Sequence, residues 1–329
     1  MNTTTAMKKL AIVAIVLSCI AIVGQIFIFA TQKENADDLY QKAMKADYKI
    51  YAPVVPDTLR FAGEKVPLEY FYVREGLDRE LLSNMYFHSS TLLNMKRAGR
   101  YFPIIEPILR EQGVPQDFKY LCVIESGLQN VTSPAKAQGY WQFMKSTGQH
   151  YGLTITDEID MRNDIEAATL AACKFLKTLR NSLGSWTAAA AAYNCGEAGL
   201  RSRMNKQSVN SYYDTRLNSE TTRYVYRILA IKLIFQHPQD YGFYLRRCDL
   251  YSPIPYDTVS LSGQNVDLYT FAQEKGTTYK MLRELNPWLQ TDKLVNKTNK
   301  TYTVKIPKKG GTLQRNIQKD RNTALINRL

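Results

Sequence analysis

The stretch that decides the fold is residues 117–152, DFKYLCVIESGLQNVTSPAKAQGYWQFMKSTGQHYG. The periodicity of its first part predicts a helix over residues 116–126. One face of this helix is apolar and is formed by Phe118, Leu121 and Cys122. Glu125 falls seven positions after Phe118, on the same face. Because burial disfavours the charged form of a carboxyl, we expect this glutamate to stay protonated near neutral pH.

The loop after Glu125 is polar but uncharged over most of its length. No acidic residue occurs between Glu125 and Asp157, whereas neutral hydroxyl, amide and aromatic groups are frequent: Ser126, Gln129, Asn130, Thr132, Ser133, Gln138, Tyr140, Trp141 and Gln142. A protonated carboxyl can act as a general acid, and neutral donors beside an aromatic face suit a sugar. The pattern therefore predicts a sugar site. The alternative is that Glu125 only caps or pairs within its own helix.

The composition indicates a folded and strongly basic protein. The chain has 329 residues, of which 45% are hydrophobic, and its net charge is +13. A basic balance suits an anionic partner such as nucleic acid, a membrane surface or a cell-wall polymer. No nucleic-acid-binding motif occurs, so we predict no nucleic-acid partner. His88, His150 and His237 lack the spacing of metal ligands, and we predict neither a metal nor another cofactor.

The N-terminus carries an apolar run at residues 10–30 behind Lys8 and Lys9. As a helix with a rise of about 1.5 Å per residue, this run is long enough to cross a bilayer. Lysines before it and acidic residues after it orient the start inside and the rest outside. We expect an uncleaved anchor with the catalytic region in the periplasm, and a cleaved signal peptide is the alternative. None of the five cysteines forms a CxxC pair, so free thiols are favoured, although export would permit a disulfide.

The predicted organisation has five parts. These are a membrane anchor or signal at residues 1–31, a stalk and lead-in at 32–75, a helical catalytic domain at 76–250, a small α+β module at 256–308 and a basic tail at 309–329. Within the helical domain, residues 78–96 and 100–112 predict two helices. Asn163 and Glu166 predict a capping box for a helix that runs to about Ser182. In the module, the predicted order is strand, helix, helix, strand.

Five motifs in order along the chain carry a family resemblance. They are Ile124-Glu125-Ser126-Gly127; Ser133 followed by Gly139-Tyr140-Trp141-Gln142-Phe143-Met144; Thr147-Gly148 with Tyr151-Gly152-Leu153; Ala192-Tyr193-Asn194 with Gly196-Glu197; and Glu220-Thr221 with Tyr224-Val225. The chain resembles the lytic murein transglycosylases of the soluble-lytic-transglycosylase (SLT) type. That resemblance implies a mainly α, goose-type lysozyme-like catalytic domain, and the C-terminal module resembles the βααβ LysM fold, which binds glycans.

The resemblance also implies roles for particular residues. Glu125 would be the catalytic acid and base. The sugar subsites would be lined by Ser133, Gln142, Met144, Tyr193 and Glu220. The chain departs from the family pattern in a loop one residue shorter before Ser133, and at three positions: Lys136 for Gly, Tyr140 for Leu and Cys195 for Ala.

The function implied is cleavage of peptidoglycan without water. Most glycosidases use two carboxylates, whereas this loop offers one, so the substrate itself must supply the nucleophile. The C6 hydroxyl of MurNAc would attack C1 and leave a 1,6-anhydro end on the glycan strand. Two alternatives remain open at this point: a lysozyme-like muramidase that uses water, and a non-catalytic peptidoglycan-binding scaffold. The sequence does not fix the oligomeric state, and a monomer is the expectation.

Overall fold

The computed structural model describes residues 50–310, together with residues 7, 13–18, 20, 21 and 42. The chain divides into two compact units, Met1–Tyr51 and Ala52–Leu329, and the second holds the helical domain and the C-terminal module. Most of the predicted anchor, Cys19 and nearly all of the predicted tail lie outside the described residues. Within the described residues, no helix is both long enough and apolar enough to cross a membrane.

The first part of the second unit is helical. Its helices are α1 (Phe71–Tyr86), α2 (His88–Glu111), α3 (Phe118–Ser126), α4 (Lys145–His150), α5 (Ile165–Leu183), α6 (Trp186–Cys195), α7 (Glu197–Gln207) and α8 (Ser219–Gln236). A short antiparallel hairpin of β1 (Arg60–Phe61) and β2 (Glu64–Lys65) precedes them. The predicted fold class, a mainly α lysozyme-like domain followed by a small α+β module, is confirmed.

Helix α3, which carries Glu125, lies in the middle of the core. The side chains of Phe118, Leu121 and Cys122 are fully buried, as the apolar face predicts. Burial of a large apolar side chain contributes about 1.5–3 kcal/mol, so this face holds the helix firmly in place. Helix α3 packs against α2 and α8, and α8 also packs against α1 and α6. The glutamate is therefore carried by a helix in which seven of the nine residues are buried.

Helix α6 is fixed through its alanines and through a carboxylate at its start. The alanines at positions 188–192 are all buried, and their small side chains let α6 pack against α5 and α8. The Glu64 carboxylate accepts hydrogen bonds from the backbone N–H groups of Trp186 (2.7 Å) and Thr187 (2.9 Å) and from the hydroxyls of Ser185 and Thr187. Burial alone would raise the pKa of Glu64, but these hydrogen bonds hold it below its usual value.

The predicted helix over residues 78–96 is wrong in its bounds. The structure ends α1 at Tyr86 and begins α2 at His88, with Phe87 between them outside helical geometry. The Thr91 hydroxyl donates to the carbonyl of Asn84 at 2.7 Å, which satisfies one carbonyl of the last turn of α1. Helix α2 then continues through the second predicted helix to Glu111.

The predicted capping box at Asn163 is also wrong. Asp164 is the N-cap of α5, and its carboxylate accepts the backbone N–H of Ala167 at 2.8 Å. Asn163 is buried in a 3-10 turn, Met161–Asn163. The Glu166 carboxylate does not reach back to the cap, because it binds Lys305 (3.0 Å) of the C-terminal module.

The C-terminal module has its own sheet and its own core. It consists of β3 (Tyr256–Leu261), β4 (Val266–Asp267), α9 (Leu268–Glu274), α10 (Tyr279–Leu285), β5 (Lys293–Leu294) and β6 (Tyr302–Pro307). Strands β3 and β6 pair antiparallel with Val259 opposite Val304, and β4 pairs with β5. The strand, helix, helix, strand order is as predicted, with β4 and β5 as an addition. A separate apolar cluster lies between these elements.

The module is joined to the helical domain along a contact that we call the seam, formed by residues 158–160 and 288–296. The side chain of Ile159 is 1% exposed and belongs to the apolar cluster of the module. The Asp160 N–H donates to the carbonyl of Trp288 and the Gln290 N–H donates to the carbonyl of Glu158, both at 2.8 Å. The seam is therefore a packed interface, in which the buried side chain of Ile159 lies between two main-chain hydrogen bonds.

Candidate active site

The loop after α3 folds back on itself and is held in place by hydrogen bonds from Arg162. Its backbone forms bridges from Gln138 to both Thr132 and Phe143. The buried Arg162 guanidinium pairs with Asp160 at 2.6 Å and donates to the carbonyl of Phe143 at 3.1 Å. Every N–H group of the guanidinium donates either to this loop or to Asp160, and Arg162 thereby holds the loop in one shape.

A close approach of two backbones requires glycine in this loop. Gly139 has a φ of +83°, and a Cβ built there would lie 1.9 Å from the carbonyl oxygen of Arg162. No side chain fits at that distance, and the left-handed conformation itself favours glycine. The conformation of the loop motif from Gly139 to Gln142 therefore depends on the close approach of Gly139 to the backbone of Arg162.

Glu125 is partly buried at the C-terminal end of α3 and is bound by one hydroxyl. The Tyr224 hydroxyl, from α8, donates a hydrogen bond to its carboxyl oxygen. Burial raises the pKa of Glu125 to about 7, while the Tyr224 hydrogen bond and the charge of Arg227 act in the opposite direction. A carboxyl with that pKa is present in both protonation states near neutral pH, as a general acid and base requires.

A second carboxylate acts on Glu125 from a distance. The charge of Glu220 raises the pKa of Glu125, but it is the weakest of the four influences on that group. Glu220 is exposed in the first turn of α8, and its carboxylate accepts a hydrogen bond from the Asn194 amide at 3.1 Å. The site thus has one partly buried carboxyl, Glu125, and one exposed carboxylate, Glu220.

Tyr193 ends up beside Glu125 but does not bond to it. Its hydroxyl donates to the carbonyl of Trp141 at 2.8 Å. Burial and the charge of Glu125 raise the pKa of Tyr193 well above its usual value, so the phenol stays protonated. The partner of this hydroxyl is therefore the backbone of the loop and not Glu125.

The other predicted site residues have different surroundings. The Ser133 hydroxyl accepts the N–H of Ala137 at 3.0 Å and so shapes the loop. The Gln142 amide donates to the carbonyls of Val131 (2.9 Å) and Gly139 (2.8 Å). The Met144 side chain is 46% exposed at the start of α4. Ser133 and Gln142 therefore already have partners within the loop, whereas Met144 is open to a ligand.

The described part of the chain offers no metal site. No three His, Cys, Asp or Glu side chains come together there as ligands. Its cysteines, Cys122, Cys173, Cys195 and Cys248, are free thiols, and the first two are buried.

Two parts of this chain match the models of known protein families. Residues 102–215 match the family model described as "Transglycosylase SLT domain", and residues 257–310 match "Soluble lytic transglycosylase C-terminal LysM-like domain". The chain contains an SLT domain followed by a LysM-like domain. The first match includes Glu125, its loop and Tyr193, and the second includes all of the C-terminal module except its first residue, Tyr256.

The relatives agree with both matches. The chain is 30% identical over 243 residues to membrane-bound lytic murein transglycosylase D of Escherichia coli (strain K12) and to the protein of the same name in Escherichia coli O6:H1. Each alignment covers 68% of this chain and 53% of the relative. The chain therefore spans about half the length of the curated relatives it matches, to which it is homologous.

Two residues of α8 that influence the pKa of Glu125, Tyr224 and Arg227, were not identified as site residues from the sequence. Tyr224 stands in a quoted motif, Glu220-Thr221 with Tyr224-Val225, but only Glu220 was assigned a role from it. Arg227 follows one turn later on α8 and donates to the carbonyl of Ile124 at 3.1 Å. The spacing of Glu220, Tyr224 and Arg227 on one helix was the signal that could have identified both.

Proposed function

We propose that this chain is a peptidoglycan lytic transglycosylase that cuts the MurNAc–GlcNAc β-1,4 bond without water and acts in turnover of the cell wall. The single observation that carries the proposal is Glu125, a partly buried carboxyl with a pKa of about 7 that accepts a hydrogen bond from Tyr224. The SLT and LysM-like domains and the homology to the Escherichia coli enzymes support the same substrate.

In the proposed reaction, the protonated Glu125 first gives its proton to the glycosidic oxygen. The acetamido oxygen of MurNAc stabilises the oxocarbenium-like state while the bond breaks. The Glu125 carboxylate then takes the proton from the C6 hydroxyl as that oxygen attacks C1. Tyr224 serves both states, because its hydroxyl can donate to either form of the carboxyl.

The remaining predicted residues would form the walls of the substrate groove. Met144, exposed at one edge, would contact the sugar rings, and Glu220 would lie at the far wall. Ser133, Gln142 and Tyr193 would act through the shape of the loop, because their polar groups already bond to its backbone. The LysM-like domain would add glycan binding outside the SLT domain.

The location we propose is the cell envelope. The two Escherichia coli relatives are named as membrane-bound, and the descriptions of both matched family models name transglycosylases. The finer proposal is an N-terminal anchor in residues 1–31 with the domains at 76–250 and 256–308 in the periplasm. It rests on the apolar run and on its flanking charges.

A lysozyme-like hydrolase is the second candidate, because Glu220 is a second carboxylate whose charge acts on Glu125. The test is digestion of purified cell-wall sacculi followed by mass analysis of the products. We expect anhydro ends, each lighter by one water than a reducing end, and complete loss of cutting in Glu125→Gln with the fold kept. Glu220→Gln should still give anhydro ends. Reducing ends in the digest, or cutting by Glu125→Gln, would refute the proposed chemistry.

A further inference from the structure

The C-terminal turn of α3, which carries Glu125, is held by arginines from two neighbouring helices. From α8, the Arg227 guanidinium donates to the carbonyl of Ile124 at 3.1 Å. From α2, the Arg97 guanidinium donates to the carbonyl of Gly127 at 3.2 Å. The last carbonyls of a helix have no partner within the helix, so each arginine binds a group that would otherwise lack one.

Tyr224 and Arg227 attach two consecutive residues of α3 to α8. They stand three positions apart and therefore lie on one face of α8. The Tyr224 hydroxyl donates to the Glu125 carboxyl, and the Arg227 guanidinium donates to the carbonyl of the residue before it. One contact is to a side chain and the other is to the backbone, so a rotation of the end of α3 would break at least one of them. The two contacts together fix the direction in which the Glu125 side chain points.

The contact with α2 depends on a glycine at the end of α3. Gly127 has a φ of +60°, and its N–H donates to the carbonyl of Val123 at 2.8 Å. A Cβ built on Gly127 would lie 2.8 Å from the Oδ1 atom of Asn94. The backbone that follows Glu125 therefore lies directly against α2, and the end of α3 is held from two sides.

Arg227 carries a charge that no ion pair compensates. Its side chain is partly buried, and no carboxylate among residues 50–310 forms an ion pair with it. In contrast, Arg223, one turn earlier on α8, pairs with Glu80 at 2.7 Å. Burial of an unpaired charge is unfavourable. The Arg227 charge lowers the pKa of both Glu125 and Tyr224, so an ionised Glu125 is a group that would compensate it.

The other titratable groups around Glu125 supply no positive charge. Burial raises the pKa of Cys122 on α3 and of Tyr193 on α6 well above their usual values, so both groups stay neutral. Glu220 on α8 is an exposed carboxylate, and its charge opposes the ionisation of Glu125. Arg227 is thus placed to support the carboxylate form against both burial and Glu220.

We propose that Arg227 is a positioning residue for Glu125, which holds the end of α3 against α8 and stabilises the carboxylate that remains after Glu125 has given up its proton. This inference rests on the proposed function. In the first step, the proton moves from Glu125 to the glycosidic oxygen, and the negative charge left on the carboxyl develops near a fixed guanidinium. In the second step, the carboxylate takes the proton of the C6 hydroxyl and becomes neutral again.

The first experiment measures kcat and KM on soluble glycan strands between pH 5 and pH 9 with the full chain. We expect Arg227→Gln to lower kcat about tenfold with little change in KM, because Glu125 becomes a weaker acid. The alkaline limb of the pH–rate profile should move up by about one pH unit. Arg227→Lys keeps the charge, so it should leave the limb near its original position and restore most of kcat.

Arg97→Gln is the matched control for this experiment. It makes the same change of charge and removes a hydrogen bond to another carbonyl at the same end of α3. It should lower Tm without the upward shift of the alkaline limb. A residue that acts on Glu125 through the fold alone would affect Tm in the same way as this control and would not move the limb.

A measurement of stability keeps the inference separate from the cutting reaction. Tm is measured at pH 4 and pH 8 for the original chain, Arg227→Gln, Glu125→Gln and the double variant. At pH 8, Glu125→Gln should raise Tm more in the Arg227→Gln background, because the ionised carboxyl has lost its positive neighbour there. At pH 4 the carboxyl is protonated, so the two rises should be equal.

Three results would overturn the proposal. They are an unmoved alkaline limb in Arg227→Gln, an equal shift of the limb in Arg97→Gln, or a rise in Tm on Glu125→Gln that is the same in both backgrounds at pH 8. If the chain cuts no strand at all while the rises in Tm differ at pH 8 and agree at pH 4, the proposed function fails and the action of Arg227 on the Glu125 carboxylate stands.

Discussion

Replacement of Glu125 by Gln should stabilise the protein above neutral pH. The pKa of Glu125 is about 7 in the folded chain, against 4.5 for an ordinary glutamate. The folded state therefore holds the proton more tightly than the unfolded state. Below about pH 4.5 the Glu125 carboxyl is protonated in both the folded and the unfolded state, so its burial does not lower the free energy of unfolding through ionisation. As pH rises to about 7 the unfolded state ionises first, and stability is lost.

The size of the effect follows from the difference between the two pKa values. A difference of about 2.5, at about 1.36 kcal/mol per pKa unit, gives a cost of about 3 kcal/mol above pH 7. Gln removes this cost and keeps an oxygen that accepts the Tyr224 hydroxyl. For a domain of this size, about 3 kcal/mol corresponds to a rise in Tm of roughly 5–10 °C.

The assay is the free energy of unfolding in urea, measured from pH 4 to pH 8 for both proteins. The advantage of Glu125→Gln should be near zero at pH 4, grow between pH 4.5 and 7, and then stay level. Glu197→Gln is a control of opposite sign, because hydrogen bonds from Ser182 and Arg201 hold the pKa of Glu197 below its usual value. The raised pKa of Glu125 would be refuted if the two proteins differed in unfolding free energy by the same amount at all pH values, or if Glu125→Gln were the less stable protein at pH 8.

Three further changes test the surroundings of the acid. Tyr224→Phe removes a hydrogen bond that lowers the pKa of Glu125, the proposed general acid, so the alkaline limb of the pH–rate profile should move up by about one pH unit; an unmoved limb would contradict the proposed role. Glu64→Gln should destabilise the chain by about 1–3 kcal/mol at neutral pH, an effect that fades as pH falls through the lowered pKa of Glu64, and urea unfolding at pH 7 and pH 3.5 measures both. Gly139→Ala should cost more than about 3 kcal/mol in thermal unfolding, whereas Gly184→Ala, also at positive φ but in open space, should cost about 1 kcal/mol; equal losses would exclude the backbone clash.

The part of the site that could be predicted from the sequence is local. The burial of α3 and the position of Glu125 on it follow from apolar spacing within nine residues, because a helix converts spacing directly into a face. The C-terminal module follows the predicted order of strand, helix, helix, strand, and its two outer strands are Tyr256–Leu261 and Tyr302–Pro307.

The contacts that could not be predicted join distant parts of the chain. The hydrogen bond from Tyr224 to Glu125 spans 99 positions, and no periodicity relates residues so far apart. The capping box at Asn163 failed for a similar reason. Its glutamate had a competing partner, Lys305, which comes from another domain more than a hundred residues later. Local sequence rules give the interactions that a residue can form, and its tertiary contacts determine which of these interactions it forms in the folded chain.

The seam limits how the LysM-like domain can meet a glycan. The Glu158 carboxylate accepts the N–H of Val295 at 2.7 Å and that of Asn296 at 3.3 Å, so the loop before β6 is already occupied by the SLT domain. Ile159 fills the apolar cluster beside it, and separation of the domains would expose this side chain at a cost of about 1.5–3 kcal/mol. The LysM-like domain is thus held in one orientation against the SLT domain. Under the proposed function, a second domain fixed in this way would meet the glycan strand in one orientation only, because it cannot move away from the SLT domain without exposing Ile159.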